Sequence, residues 1–414
     1  MDPGSRVEEV EMAKEKLWSS TFVLLIIITL ISSMNGNGLN NGISLLVEAA
    51  GSPTSLTGII IGVFSLSALC GRVFCGHLSD SIGRMKVIAA GAVLMGLGCL
   101  ISIIFSSVYA MIPCRIIMGV GFAMISTTTA AAVADVMPKS RIGEGVGLQG
   151  LAHALAMALG PSLGILFALN GGRLALFGGF FAMAVLALAL TFLCKFAPQP
   201  KEAPDKEKDG ASGGRSIVSR LFFTYIERGA LTSMLIVTVL NLSASIYGGY
   251  ISLYAVTNGI AGASLFFTIS AAVMIVIRLL LSRYFDTIHV NVFLIPSFIC
   301  GMLGFLCLLF MKSQAGLIAA GVFNGVFSGL TIPLIVAEGI KRSPDTRRGA
   351  ASATVYIGTD IGVGLGSLIW GGVIDFAGFD AIFIGGIVFL IVDCVFALVL
   401  YAKPSGEKTA DGGR

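Results

Sequence analysis

Along this chain, polar and charged residues cluster in short connections, and between them lie apolar stretches of about twenty residues or more. Six stretches fall near 17–47, 55–79, 86–106, 110–135, 142–169 and 173–195. Six more fall near 229–256, 262–282, 291–311, 315–338, 349–374 and 380–401. A helix rises ~1.5 Å per residue, so about twenty apolar residues cross a hydrocarbon core of ~30 Å. The pattern predicts an all-α integral membrane protein with twelve transmembrane helices. The one long polar interruption, Pro198 to Arg220, is rich in Lys, Asp, Glu, Gly and Pro, the composition of a solvated linker.

The two sets of spans align at one offset. Asn35 matches Asn241, Arg72 matches Arg278, Asp80 matches Asp286, Gly119 matches Gly325, Arg141 matches Arg347 and Gly160 matches Gly366, each pair 206 residues apart without a gap. Internal duplication with six spans per unit predicts two pseudo-symmetric six-helix bundles related by an axis along the membrane normal. The expected division is a tail at 1–16, a bundle at 17–196, a linker at 197–226, a second bundle at 227–402 and a tail at 403–414.

Composition agrees with this division. Of 414 residues, 56% are hydrophobic, 12% are charged and 53 are Gly. Soluble domains carry roughly a quarter charged residues, and glycine suits helices that pack backbone on backbone in lipid. Among the 27 Lys and Arg, only Arg173 and Lys312 fall in connections on one side, and Arg72, Arg115 and Arg278 lie within spans. All the others gather on the side of both termini and the linker. The positive-inside rule makes that side cytoplasmic. The eight Cys (Cys70, Cys75, Cys99, Cys114, Cys194, Cys300, Cys307 and Cys394) sit in or beside apolar segments, without metal-ligand spacing, and read as packing residues. The first 16 residues have no apolar core and do not read as a cleavable signal. No nucleotide-binding Gly-rich loop and no catalytic constellation is present, so an enzyme is not expected, nor is a cofactor or a metal site.

The connection between spans 2 and 3 reads Gly76-His77-Leu78-Ser79-Asp80-Ser81-Ile82-Gly83-Arg84-Met85-Lys86. It resembles the signature loop of the major facilitator superfamily, G-x-L-x-D-x-x-G-R-x-K. In span 4, Arg115-Ile-Ile-Met-Gly119-Val-Gly121-Phe-Ala123 is similar to that family's R-x-x-x-G-x-G-x-A motif. In span 5, Gly160-Pro161-Ser162-Leu163-Gly164 resembles the G-P-x-x-G motif of the drug/metabolite:proton antiporter branch. The match departs from the pattern at Ala156, where the family has Gly, and at Ser282 and His289, which degrade the second copy of the signature loop. The resemblance implies the major facilitator fold, spans 1, 4, 7 and 10 around a central cavity, and alternating access. In that reading Gly76, Asp80, Gly83, Arg84 and Lys86 form a conformational-switch loop tied to the start of span 11. Gly160, Pro161 and Gly164 form a hinge at the seam between halves.

Ionisable groups inside a span are costly and therefore candidates for function. Arg115, His153 and Asp360 are the proton-coupling candidates. Asp360 could instead pair with Arg72 or Arg278, and Arg115 could snorkel to an interface or bond backbone carbonyls. Asp393 is expected to meet a neighbouring polar group. The substrate-cavity candidates are Asn35, Asn37, Asn40, Asn41, Thr128, Asn241, Tyr247, Tyr250 and Asn324. Hydrogen-bond glue between helices accounts equally well for about half of them, and Tyr247, Tyr250 and Tyr254 could equally be an interfacial belt. Cation exporters of the family commonly carry a carboxylate in span 1 or span 7. Here span 1 carries only Asn until Glu48, and Glu227 lies only at the start of span 7. With Arg115 as the clearest cavity charge, the resemblance favours a neutral, zwitterionic or anionic substrate over a lipophilic cation.

The function expected is proton-coupled export of a small organic molecule. The alternatives are a proton symporter importing a nutrient, or a lipid flippase. The expected partners are the lipid bilayer, a small-molecule substrate and protons. No nucleic acid is expected, and the chain is expected as a monomer in a prokaryotic cell membrane.

Overall fold

The computed structural model describes residues 18–137, 142–194, 226–281, 289–344 and 348–401. The expected tails at 1–16 and 403–414, and almost all of the expected linker, lie outside the described residues. So do Arg141, Asp286 and Arg347, the surroundings of Gly76 and the side chain of Asp80.

Among the described residues the chain is all helix apart from its connections. The helices are α1 (Ser20–Ala49), α2 (Thr54–Ile82), α3 (Arg84–Ile104), α4 (Met111–Val136) and α5 (Ile142–Leu193), followed by a 3-10 turn at Arg228–Ala230. Then come α6 (Leu231–Gly249), α7 (Ile251–Thr257), α8 (Ala263–Leu281), α9 (Asn291–Phe310), α10 (Gln314–Lys341) and α11 (Arg348–Leu400). Among the described residues, ten helices are long and apolar enough to cross a membrane. Two of them, α5 and α11, run to 52 and 53 residues. Each breaks at a glycine in a conformation that L side chains rarely adopt: Gly172 at φ 57° and Gly378 at φ 78°. Each has length for two crossings, which accommodates the twelve predicted spans. The two breaks are themselves 206 residues apart, a repeat pair the sequence reading did not list.

Local chemistry sets several ends. Ser19 caps α1, its Oγ accepting the Phe22 amide at 3.1 Å, and Ser313 caps α10 through the Gly316 amide at 3.3 Å. Gly83, at φ 100°, turns α2 into α3 with no intervening loop, which fixes α2 antiparallel to α3. The face where α1 ends and α2 begins is called the far end below, and the face where α2 ends and α3 begins the near end.

Two buried apolar cores follow the repeat. One is drawn from Phe22 to Cys194 and the other from Ala230 to Tyr401, the second joined by Leu45, Ile165 and Ala168 from the first half. The outer surface is apolar as well, with Phe192, Phe310 and Phe376 exposed. Water does not favour that arrangement, whereas lipid does. Lipid provides no hydrophobic drive between helices, so their cohesion depends on close packing of small residues. A Cβ at Gly325 would lie 2.6 Å from the Ser270 carbonyl oxygen, and a Cβ at Gly119 would press on the Phe64 carbonyl oxygen. Phe64 and Ser270 are again 206 apart, so the same glycine knob is used twice.

The segment around Pro161 differs from expectation. Gly160 and Gly164 pack on Met34 and Gly38 of α1, inside the first half. The seam between halves is met by another face of α5, which carries Gly150, because a helix offers its two neighbours different residues of each turn. The expected hinge glycines are thus packing residues of the α1–α5 pair.

A Cβ on Gly164 would overlap the Gly38 carbonyl, whereas one on Gly178 meets nothing within 4 Å. Gly164→Ala is expected to cost about 1–3 kcal/mol by overpacking, and Gly178→Ala to be close to neutral. Thermal melting of the two purified variants measures the contrast.

Candidate functional site

The repeat brings Arg72 of α2 and Arg278 of α8 to equivalent places at mid-depth, each reaching across to the opposite half. Arg72 donates from Nε to Asp360 Oδ2 of α11 at 2.6 Å and from Nη1 to Thr127 Oγ1 of α4 at 3.4 Å. Its guanidinium also lies 5.9 Å from the Phe122 ring centre. Arg278 donates from Nη1 to the Gly150 carbonyl of α5 at 3.4 Å and from Nε to the Gly329 carbonyl of α10 at 3.3 Å. Among the described residues, Arg72–Asp360 is the only ion pair that joins the halves. The pair is largely withdrawn from solvent, its side chains 19% and 12% exposed, so water screens it little. Tyr356 lies one turn before Asp360 on α11 and His153 one turn after Gly150 on α5, so both stand beside the acceptors that the two arginines reach. Arg72, Arg278, Asp360, His153 and Tyr356 thus form one polar cluster between the halves.

Of the proton-coupling candidates, Asp360 occupies the centre of this cluster, in the pairing with Arg72 that the sequence allowed. His153 contacts Ser33 Oγ of α1 through Nδ1 at 3.0 Å. Arg115 lies apart, toward the far end. It is almost wholly buried, its Nη2 donates to Asn40 Oδ1, and its guanidinium stacks over Phe64 with 4.2 Å to the ring centre. Its Nε and Nη1 have no acceptor among the described residues. The alternative in which it snorkels to an interface or bonds backbone carbonyls does not match this burial and partner set.

Several cavity candidates face elsewhere. The Asn35 amide donates to the Phe180 carbonyl at 2.8 Å, inside the first half. Asn37 and Asn241 bond carbonyls one turn back on their own helices, those of Ser33 and Val237. Asn324 donates to Ser270 Oγ at 2.8 Å, joining α10 to α8. Tyr247 donates to the Gly301 carbonyl and stacks on Phe305 at 4.2 Å, within the second core. Tyr254 likewise reaches the Leu308 carbonyl at 2.7 Å. These groups are glue between or along helices, because an amide or phenol in lipid takes whichever acceptor its own face meets first. Thr128 is fully buried on α4, its Oγ1 without a partner among the described residues.

At the far end the halves are latched. Asn41 Nδ2 donates to the Gly248 carbonyl, and Ser252 Oγ donates to Asn41 Oδ1, both at 2.8 Å. The Thr54 and Ser55 amides at the start of α2 donate to the two oxygens of Asp375 on α11, both at 2.7 Å. That carboxylate satisfies the orphan amides and meets the positive end of the helix. Tyr250, fully buried, donates to the Ser367 carbonyl at 2.6 Å, where its hydroxyl lies beside Gly58 and Gly371.

At the near end, Arg84 holds Asp135 of α4 at 2.8 Å and Ser79 of α2 at 2.6 Å, and Lys86 is exposed. These bonds tie the switch loop to its own half. Asp135, Asp375 and Tyr356 were not singled out from the sequence, and Arg278 was named only as a repeat partner of Arg72 and a possible partner of Asp360. Arg278 carried a visible signal, as a charge within a span and a repeat partner of Arg72. Asp375 carried none, since the amides it caps lie more than 300 residues away.

A helical membrane protein of two repeated halves, meeting along polar seams at mid-depth, defines a membrane carrier. The sequence model described as Major Facilitator Superfamily matches residues 25–337 and 293–414, and the chain belongs to that superfamily. It is a transporter and not an enzyme. It is similar to the staphylopine export protein of Staphylococcus aureus, with 23% identity over 93% of this chain and 96% of that protein. It is also similar to an MFS-type transporter of Methanocaldococcus jannaschii, with 26% identity over 91% of this chain and 97% of that one. A solved D-xylose-proton symporter shares the fold, at TM-score 0.71 and 16% identity over 91% of this chain and 96% of that one.

Breaking a buried pair strands a charge at a cost of about 3–5 kcal/mol. Arg72→Gln and Asp360→Asn are each expected to destabilise the protein, and the double variant to lose less than the sum of the two. Melting curves for all four proteins close the cycle, and additive losses would show that the pair does not bind the halves together.

Proposed function

We propose that this transporter exports a small organic molecule in exchange for protons, by alternating access between its two halves. The observation that carries the reading is the distribution of contacts between halves. Four hydrogen bonds close the far end, and at mid-depth one ion pair and one arginine–carbonyl bond form the seams. Read with the basic residues cytoplasmic, this is a carrier closed to the outside. The Gly-Pro segment of α5 and the likeness to a protein named for export support the direction.

Asp360 is the proton carrier best placed to drive the cycle. In the exchange cycle its carboxyl takes a proton while the carrier is open to the outside and releases it inside. There the freed carboxylate re-forms its pair with Arg72, the only charge pair spanning the halves among the described residues. His153 and Arg115 act beside it, His153 in the same cluster and Arg115 with Asn40 deeper in the first half. Opening the far end then requires the α2 amides to leave Asp375 and Asn41 to leave α6 and α7. The near-end switch loop, with Asp80 and Arg84, stabilises the opposite arrangement.

Spin labels at Ala50→Cys and Thr257→Cys, exposed positions on the two halves at the far end, report its opening. Asp375→Asn and Asp360→Asn are each expected to shift the distance distribution toward longer separations. Lowering the pH is expected to do the same for the parent protein and less for Asp360→Asn. Distributions unchanged in both variants and with pH would refute the latch and the carrier assignment. The sign of uptake into inside-out vesicles under a pH gradient separates export from nutrient import.

A further inference from the structure

The two arginine seams are equivalent in backbone but not in charge. Asp360, which neutralises Arg72, has its repeat counterpart at position 154, which is Ala154, buried at 2% exposure. Ala154 lies one helical turn from Gly150, whose carbonyl is the cross-half acceptor of Arg278. Arg278 is therefore left with two peptide oxygens at 3.3 and 3.4 Å, where Arg72 has a carboxylate oxygen at 2.6 Å. No carboxylate among the described residues lies within ion-pair distance of Arg278. With His153 neutral, the cluster of two arginines and one aspartate carries one net positive charge. A charge left uncompensated between spans costs several kcal/mol.

A second asymmetry falls at the same place. Tyr356 of α11, a half-exposed phenol, has Gly150 as its repeat counterpart, and a Cβ at Gly150 would meet nothing within 4 Å. Around Arg278 the repeat has thus removed a carboxylate and a ring, leaving open space beside an uncompensated guanidinium. Tyr356, one turn before Asp360 on α11, and His153, one turn after Gly150 on α5, border the same cluster. A guanidinium presents planar paired donors that match a carboxylate, and a phenol hydroxyl adds a third donor.

We infer that Arg278, assisted by Tyr356 and His153, binds the carboxylate group of the transported molecule, so that the substrates are organic carboxylates. The inference rests on the transport reading above and supplies its substrate class. A bound carboxylate takes the place that Asp360 holds in the other seam, so loading substrate completes the charge balance between the halves.

Two measurements on the purified full-length protein test this, with benzoate and its uncharged amide benzamide as probes. Without ligand, Arg278→Gln is expected to melt at or above the parent temperature, because it removes an uncompensated charge, while Arg72→Gln melts well below. Ala154→Asp, which restores the missing counter-charge, is expected to raise the melting temperature. Benzoate but not benzamide is expected to stabilise the parent. Its affinity should fall roughly ten- to a hundredfold in Arg278→Gln, the loss of one charge-assisted hydrogen-bonding partner, and in Ala154→Asp. Three results would overturn the assignment: Arg278→Gln as unstable as Arg72→Gln, benzoate and benzamide acting alike or not at all, or benzoate binding undiminished in Arg278→Gln. Neither melting nor binding needs turnover, so these outcomes leave the direction and coupling of transport to the vesicle and spin-label experiments.

Discussion

A guanidinium held among helices in lipid has no water to turn to, so its partners must come from the protein or from a ligand. That requirement organises the middle of this molecule. Arg72 finds a carboxylate on the opposite half, Arg278 finds two carbonyls, and Arg115 finds one amide oxygen and the face of a ring. The helices around them are placed so that these contacts form, and glycines let those helices approach closely enough. Gly119 against Phe64 and Gly325 against Ser270 are the same packing solution made twice.

Duplication explains the architecture, and departures from it explain where chemistry can be specific. A fully symmetric protein would carry either two cross-half ion pairs or none. Here the pair exists on one side, and its counterpart is an alanine and a glycine beside open space. A similar division separates the ends. Asp375 caps the start of α2, while the position one repeat earlier is Leu169, which cannot cap anything. Functional polarity thus comes from single substitutions in a repeated frame, without any change of fold.

The contacts between halves differ in what releases them. The far end is held by hydrogen bonds from backbone amides and an asparagine, which break when the helices separate. The seam at mid-depth is held by an ion pair, which also weakens when its carboxyl takes a proton. In the proposed cycle a protonation at Asp360 acts on the latch at Asp375 through the α11 helix, which carries both residues. The Arg84–Asp135–Ser79 contacts keep the turn between α2 and α3 attached to the first half.

Much of this was legible in the chain itself. The spans, the 206-residue repeat, the superfamily resemblance and the short list of charges within spans all follow from hydropathy and spacing, which are local properties of consecutive residues. The division of α5 and α11 at Gly172 and Gly378 was legible too, as the gaps between the fifth and sixth and between the eleventh and twelfth stretches. The direction each polar side chain takes was not. Asn35, Tyr247 and Asn324 have the composition of a cavity lining but serve as glue, because the neighbour facing each one is set by how helices far apart in sequence are rotated against each other. Asp375 and Thr54 meet across 321 residues, and nothing near either one announces the other. Sequence alone therefore determined the class, the topology and the candidate charges. Only the tertiary structure decided which charges are paired, which helices they join, and that Arg278, unlike its repeat partner Arg72, has no counter-charge among the described residues, since pairing depends on positions in space that no local pattern encodes.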